Sequence, residues 1–136
     1  AINQLSTTNA ATASGNVDTL GYDFAEIDVI ATSSNNVTNN PSVLKLSESD
    51  DTVVTNFADV SGAVGDTDFT IPNAYTNTAS DFKVKFSVDC RARKRYLKVS
   101  VSPVTTQIIT ATANLHRGDE GPANATDASV DALVEV

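Results

Sequence analysis

Few residues in this chain are able to do chemistry. His116 is its one histidine and Cys90 its one cysteine, so a single chain cannot assemble a His/Cys zinc site or an internal disulfide. Nucleophilic catalysis needs a base within hydrogen-bond reach of a serine or cysteine, and His116 has no such partner nearby in sequence. Cys90 falls on the apolar side of an alternating segment, where a thiol serves as a small core hydrophobe.

Carboxylates are plentiful, with 17 Asp and Glu. The pairs Asp50-Asp51, Asp66-x-Asp68 and Asp119-Glu120 carry oxygens that calcium accepts. None has the spaced ligands, central Gly and terminal Glu of a calcium loop, and solvated turns are the expectation. A glycosidase pair works in a cleft flanked by sugar-stacking aromatics. This chain has no Trp, and its tyrosines are Tyr22, Tyr75 and Tyr96. Asn36-Val37-Thr38 and Asn124-Ala125-Thr126 spell glycosylation sequons, and Arg117-Gly118-Asp119 an adhesion triplet. In a chain this rich in Asn and Thr, composition accounts for such short matches.

The basic residues are different in kind. Residues 1–81 hold eleven acids and one base, Lys45, whereas residues 82–98 hold seven of the nine bases against Asp89 alone. The concentration peaks at Arg91, Arg93, Lys94 and Arg95, continues to Lys98, and is preceded by Lys83 and Lys85. If 82–98 forms a hairpin, all seven share one surface. Such a surface is repulsive unless the domain's own acids or an acidic partner offsets it. A net charge of −8 repels nucleic acid, and no aromatics interleave the bases for stacking. Arg91, Arg93, Lys94, Arg95 and Lys98 are therefore the candidate partner-binding residues, for an acidic protein surface.

The frame that must position them is β-structure. The 136 residues amount to one domain, able to bury roughly two thirds of its unfolded surface. Val outnumbers Leu by 16 to 7, and Thr, Ser and Asn supply 17, 13 and 12 residues. β-Branched residues crowd helices and suit pleated sheets, while Asn and Ser favour turns. No run is long and apolar enough to span a bilayer and no basic-then-apolar leader is present, so the chain reads as soluble.

Alternation places the strands. Residues 1–20 are polar with few apolar anchors and read as an N-terminal arm or edge strand. Tyr22 to Thr32 reads as a central strand, with a phase slip near Ala25 suggesting a bulge. Residues 43–49 form a strand, Asp50-Asp51 a turn, and 52–57 its hairpin partner. Residues 58–65 read as loop, with a short strand at Phe69 and Ile71. The clearest strand is 82–90, with Phe82, Val84, Phe86, Val88 and Cys90 inward. Residues 91–95 make its turn, 96–102 and 106–116 follow as strands, 117–129 are loop, and 130–136 form an added strand or an arm. The expected fold is all-β: a β-sandwich of seven to eight antiparallel strands over 21–116, with polar arms at 1–20 and 117–136.

Several segments together resemble one family. Leu44-Lys45-Leu46-Ser47-Glu48-Ser49-Asp50-Asp51, the loop Phe57-Ala58-Asp59-Val60-Ser61-Gly62-Ala63, the opening Leu20-Gly21-Tyr22-Asp23 and the strand Lys94-Arg95-Tyr96-Leu97-Lys98-Val99-Ser100-Val101 are similar to the capsid decoration, or cement, proteins of tailed bacteriophages. The resemblance spans residues 20–116. Where the family pattern carries an aromatic after the Asp-Asp turn this chain has Val53-Val54, and no contact residue is carried over.

The resemblance implies that the sandwich is jelly-roll-like and that the chain is a structural protein, not an enzyme, that works without a cofactor. It would form a homotrimer on the outer surface of the virion and brace the major capsid protein, with neither nucleic acid nor membrane as partner. The alternative from another class is a ligand-binding sandwich, a glycan or host-surface adhesion module displayed on a virion or cell.

Overall fold

In a computed structural model of the chain, described over residues 2–7, 11–32, 41–72, 81–104, 107–118 and 130–136, nine strands form two packed sheets. They are β1 (Ile2–Thr7), β2 (Ala13–Asp18), β3 (Phe24–Thr32), β4 (Val43–Ser49), β5 (Ala58–Val64), β6 (Asp81–Asp89), β7 (Tyr96–Ser102), β8 (Gln107–His116) and β9 (Ala132–Glu135). One sheet has the order β1-β8-β3-β6-β9 and the other β2-β7-β4-β5. The first eight strands pair antiparallel as nested partners: β1 with β8, β2 with β7, β3 with β6, and β4 with β5. That nesting, closed by β3–β8 and β4–β7 pairing, is a long hairpin rolled into two sheets. The alternation predicts a sandwich, and this nesting makes it a jelly roll.

The core follows from period 2. Ala25, Ile27, Val29 and Ala31 of β3 and Phe82, Val84, Phe86 and Val88 of β6 face Leu44 and Leu46 of β4 and Leu97, Val99 and Val101 of β7, all buried. Small residues opposite large ones let the sheets interdigitate. Phe69 closes one side by meeting Phe86 edge-on, with ring centroids 5.9 Å apart.

Several expectations need correction. Strands β6 and β7 are not a hairpin, because β6 lies in the five-stranded sheet and β7 in the four-stranded one. The 90–95 segment therefore crosses between sheets, through a 3-10 turn at Cys90–Ala92. The β3 register runs unbroken from Phe24 to Ala31 on β8, with Ala25 buried in phase, so there is no bulge there. The partner of β4 is β5 at 58–64, while Val54–Asn56 forms a 3-10 turn. Asp51 organises that turn by accepting hydrogen bonds from Val53 N (2.8 Å) and Asn56 Nδ2 (2.8 Å). Phe69 makes only an isolated bridge to Gly65, and Ile71 is buried outside any strand.

Both chain ends contribute strands. β1 and β2 are edge strands of the two sheets, the second of the two forms expected for 1–20. At the other end β9 adds to β6 in parallel, an exception to the antiparallel expectation. Val134 is buried there. A Cβ on Gly62 would lie 3.0 Å from Val136 Cγ1, so this glycine lets β5 approach the residue after β9. The sequons and Asp119-Glu120 lie outside the described residues.

Candidate functional site

Strand direction decides which loops meet. β2, β4 and β6 end, and β3, β5 and β7 begin, at one end of the sandwich. That end is built from residues 19–23, 50–57 and 90–95, with Arg117 following β8. The two crossing loops are stitched together by backbone. Cys90 N donates to Asp23 O at 2.8 Å, and Thr19 N to Arg95 O at 2.9 Å. The Thr19 hydroxyl also donates to Arg95 O, at 2.7 Å. Asp89 caps the 3-10 turn by accepting from Arg91 N. Arg91 to Arg95 thus sit on a loop pinned at both ends.

Four of the five candidate partner-binding residues lie on this loop, and most are already matched by the domain's own acids. Arg91 grips Asp89 through Nε (2.9 Å) and Nη2 (2.7 Å) and lies over the Phe24 ring at 5.0 Å. Arg95 grips Asp18 in the same two-pronged way, at 2.9 and 2.7 Å, and covers Tyr96 at 4.8 Å. Lys94 donates from its backbone N to Glu48 and lies 3.6 Å from Asp50. The bidentate geometry fixes each guanidinium. It also moves the acids: the Arg95 guanidinium, helped by Leu20 N, holds the Asp18 carboxyl down at about 2. Arg91 holds Asp89 below its ordinary value.

Arg93 is the exception. Its backbone N donates to Cys90 O, but its Nε is buried without a hydrogen-bond partner. No carboxylate pairs with its side chain among the described residues. The fifth candidate, Lys98, points from the outer face of the four-stranded sheet and sits over Phe57 at 4.3 Å. Lys83 and Lys85 lie on the outer face of the opposite sheet. The structure does not bring them to the loop, because 82–98 is not a hairpin.

The sequence reading passed over the apolar side chains here. Leu20 (66% exposed), Tyr22, Val53 and Val54 (74% exposed) all lie in the loops of this end. They are four of the six exposed large hydrophobics among the described residues. Arg117 holds the rim, with Nε donating to Gly21 O at 2.8 Å and the guanidinium 5.5 Å over Tyr22. Val53-Val54 beside an Asp-Asp turn was the available signal.

The other chemistry-bearing residues have structural work. Asp68 accepts from Gly62 N and Val64 N, and Asp66 from Ile71 N, so these carboxylates hold a turn. Among the described residues no group of three or more His, Cys, Asp or Glu could hold a metal. Cys90 is buried, and burial pushes its thiol up to about 11. His116 packs beside Phe24, with ring centroids 6.3 Å apart. Comparison with family models, with curated proteins and with solved structures finds no match for this chain.

Proposed function

We propose that this chain is a structural protein that decorates and stabilises a bacteriophage capsid, seating on the outer surface of the major capsid protein as a homotrimer. The observation that carries the reading is the loop end. It puts exposed apolar side chains beside a pinned basic loop on a rigid jelly-roll frame. Apolar anchors ringed by polar groups are the anatomy of a protein-binding surface, and a docking protein needs no catalytic machinery. The family resemblance over 20–116 supplies the identity of the partner, since the jelly roll itself also serves lectins.

The test is co-sedimentation of the purified protein with capsid shells that lack it. Saturable binding that raises the melting temperature of the shell is expected. Charge reversal at Arg93, Lys94 and Arg95 together abolishes docking or trimer formation on this reading, and unchanged assembly would remove the basic loop from it. Failure of the wild type to bind shells, with a defined saccharide preference on a glycan array, would replace the reading with an adhesion module.

A further inference from the structure

Within the basic run, one residue differs from the rest in a way composition hides. Arg91, Lys94 and Arg95 each have a carboxylate of their own, and Lys98 has the Phe57 ring. Arg93 has a buried Nε with no partner. A desolvated donor left unsatisfied costs stability, and such rule-breaking groups concentrate where a protein meets something else. Arginine is also the cation best suited to a desolvated interface, because its planar fork matches a carboxylate.

We infer that Arg93 is the recognition residue of the loop end, taking a carboxylate from an acidic protein surface whose apolar groups seat on Leu20 and Val54, while Arg91, Lys94 and Arg95 only hold the loop. This rests on the docking reading above and narrows it to one contact. Charge complementarity selects the occupant: a guanidinium with no ion-paired carboxylate among the described residues, at the end of the sandwich that exposes Leu20 and Val54, fits an acid flanked by apolar residues. A nucleic acid, by contrast, would meet Asp18, Asp50, Asp51 and Asp89 around it.

Two measurements on the full chain test the inference. In thermal melts of the free protein, Arg93→Met melts at or above the wild type, because it removes an unsatisfied donor, whereas Arg95→Met melts below it. An Arg93→Met melt well below wild type would overturn the inference, since the domain would then be holding this side chain. In co-sedimentation with capsid shells, Arg93→Met and Arg93→Lys lose at least tenfold in affinity. Lys45→Met, at a lysine in the middle of β4 that is held by Asp59, stays within threefold. Arg93→Met binding like the wild type would overturn the inference even with the melts as expected. Wild-type protein that binds no shell overturns the inference together with the capsid reading, whereas shell binding unchanged in Arg93→Met overturns the inference alone.

Discussion

Arg95 and Asp18, 77 residues apart in sequence, meet through two parallel hydrogen bonds that tie the start of β7 to the end of β2. The contact belongs to the folded state only, so it sets a pH dependence. The Asp18 carboxyl falls from 3.8 to about 2 on folding. A depressed carboxyl contributes stability that is fully present above its unfolded value and lost as pH falls through the folded one. That loss begins near pH 4 and is complete only below the folded value of about 2. Both side chains are exposed, so solvent screens the pair and the effect is small. Asp18→Asn is expected to lower the melting temperature by roughly 1–3 °C at neutral pH and to flatten the acid limb. An acid limb identical to wild type in circular-dichroism melts would show that the pair contributes nothing.

Cys90 offers a probe of the same end. Its Sγ is buried under the crossing loops, and burial holds the thiol near 11, with the Thr19 hydroxyl opposing. Thiolate is scarce at pH 8 and shielded from reagents, so labelling by an aromatic disulfide reagent is expected to wait for opening of the fold. Phe86→Ala, which empties a fully buried position at a cost of about 3–5 kcal/mol, should accelerate labelling by roughly a hundredfold or more. Native protein that labels as fast as the urea-unfolded chain would mean that the crossing loops do not cover the thiol.

The alternation in 82–90 and 96–102 identified the buried residues of β6 and β7 correctly, and with them the sandwich. It could not say which sheet each strand joins, because an inward-facing residue looks the same in sequence whichever sheet carries it. Proximity in the chain favoured a hairpin, and only the nested jelly-roll pairing sends β6 and β7 to opposite sheets. The β5 strand was illegible for another reason. Lys45 pairs with Val64, yet Ser47 pairs with Asp59, so β5 carries extra residues that break the period. Gly62, at φ +90°, lies inside that irregularity and reads locally as loop. The loop-end site was half legible. Charge clustering found Arg91 to Arg95, but the neutralisation of Lys94 by Asp50 and of Arg95 by Asp18 depends on acids far away in the chain.

The outer face of the five-stranded sheet holds a second electrostatic unit. Lys85 Nζ lies 3.1 Å from Glu26 Oε2 and 3.3 Å from Asp28 Oδ1, with all three side chains largely buried. Burial alone would lower the lysine's pKa, but the two carboxylates outweigh it and raise it above 10.5. A raised lysine contributes stability that is fully present below its unfolded value and lost as pH climbs through the folded one. Lys85→Met leaves two carboxylates facing each other and is expected to cost about 1–2 kcal/mol at pH 7. The gap between wild type and variant in urea unfolding should narrow above pH 10.5. A gap independent of pH would assign the loss to packing of the lysine stem.

Gly65 tests how tightly the chain is threaded after β5. A Cβ there would lie 2.6 Å from Ile71 Cγ1, 2.8 Å from Ile71 Cδ1 and 2.7 Å from the Leu44 carbonyl oxygen. The isoleucine could shift, but the carbonyl is fixed by the hydrogen bond it accepts from Gly65 N at 2.9 Å. Relief would have to break that bond or pull β4 and β5 apart. Gly65→Ala is therefore expected to destabilise by about 1–3 kcal/mol, the range of an overpacked core. Ile71→Ala, which removes both side-chain contacts, should by itself cost about 2–5 kcal/mol. The double variant separates the two neighbours, because it removes Cγ1 and Cδ1 of Ile71 and leaves the backbone clash. It is expected to recover only part of the Gly65→Ala loss in urea unfolding. Recovery to the level of Ile71→Ala would instead place the whole clash on the isoleucine and leave the Leu44 carbonyl free to yield.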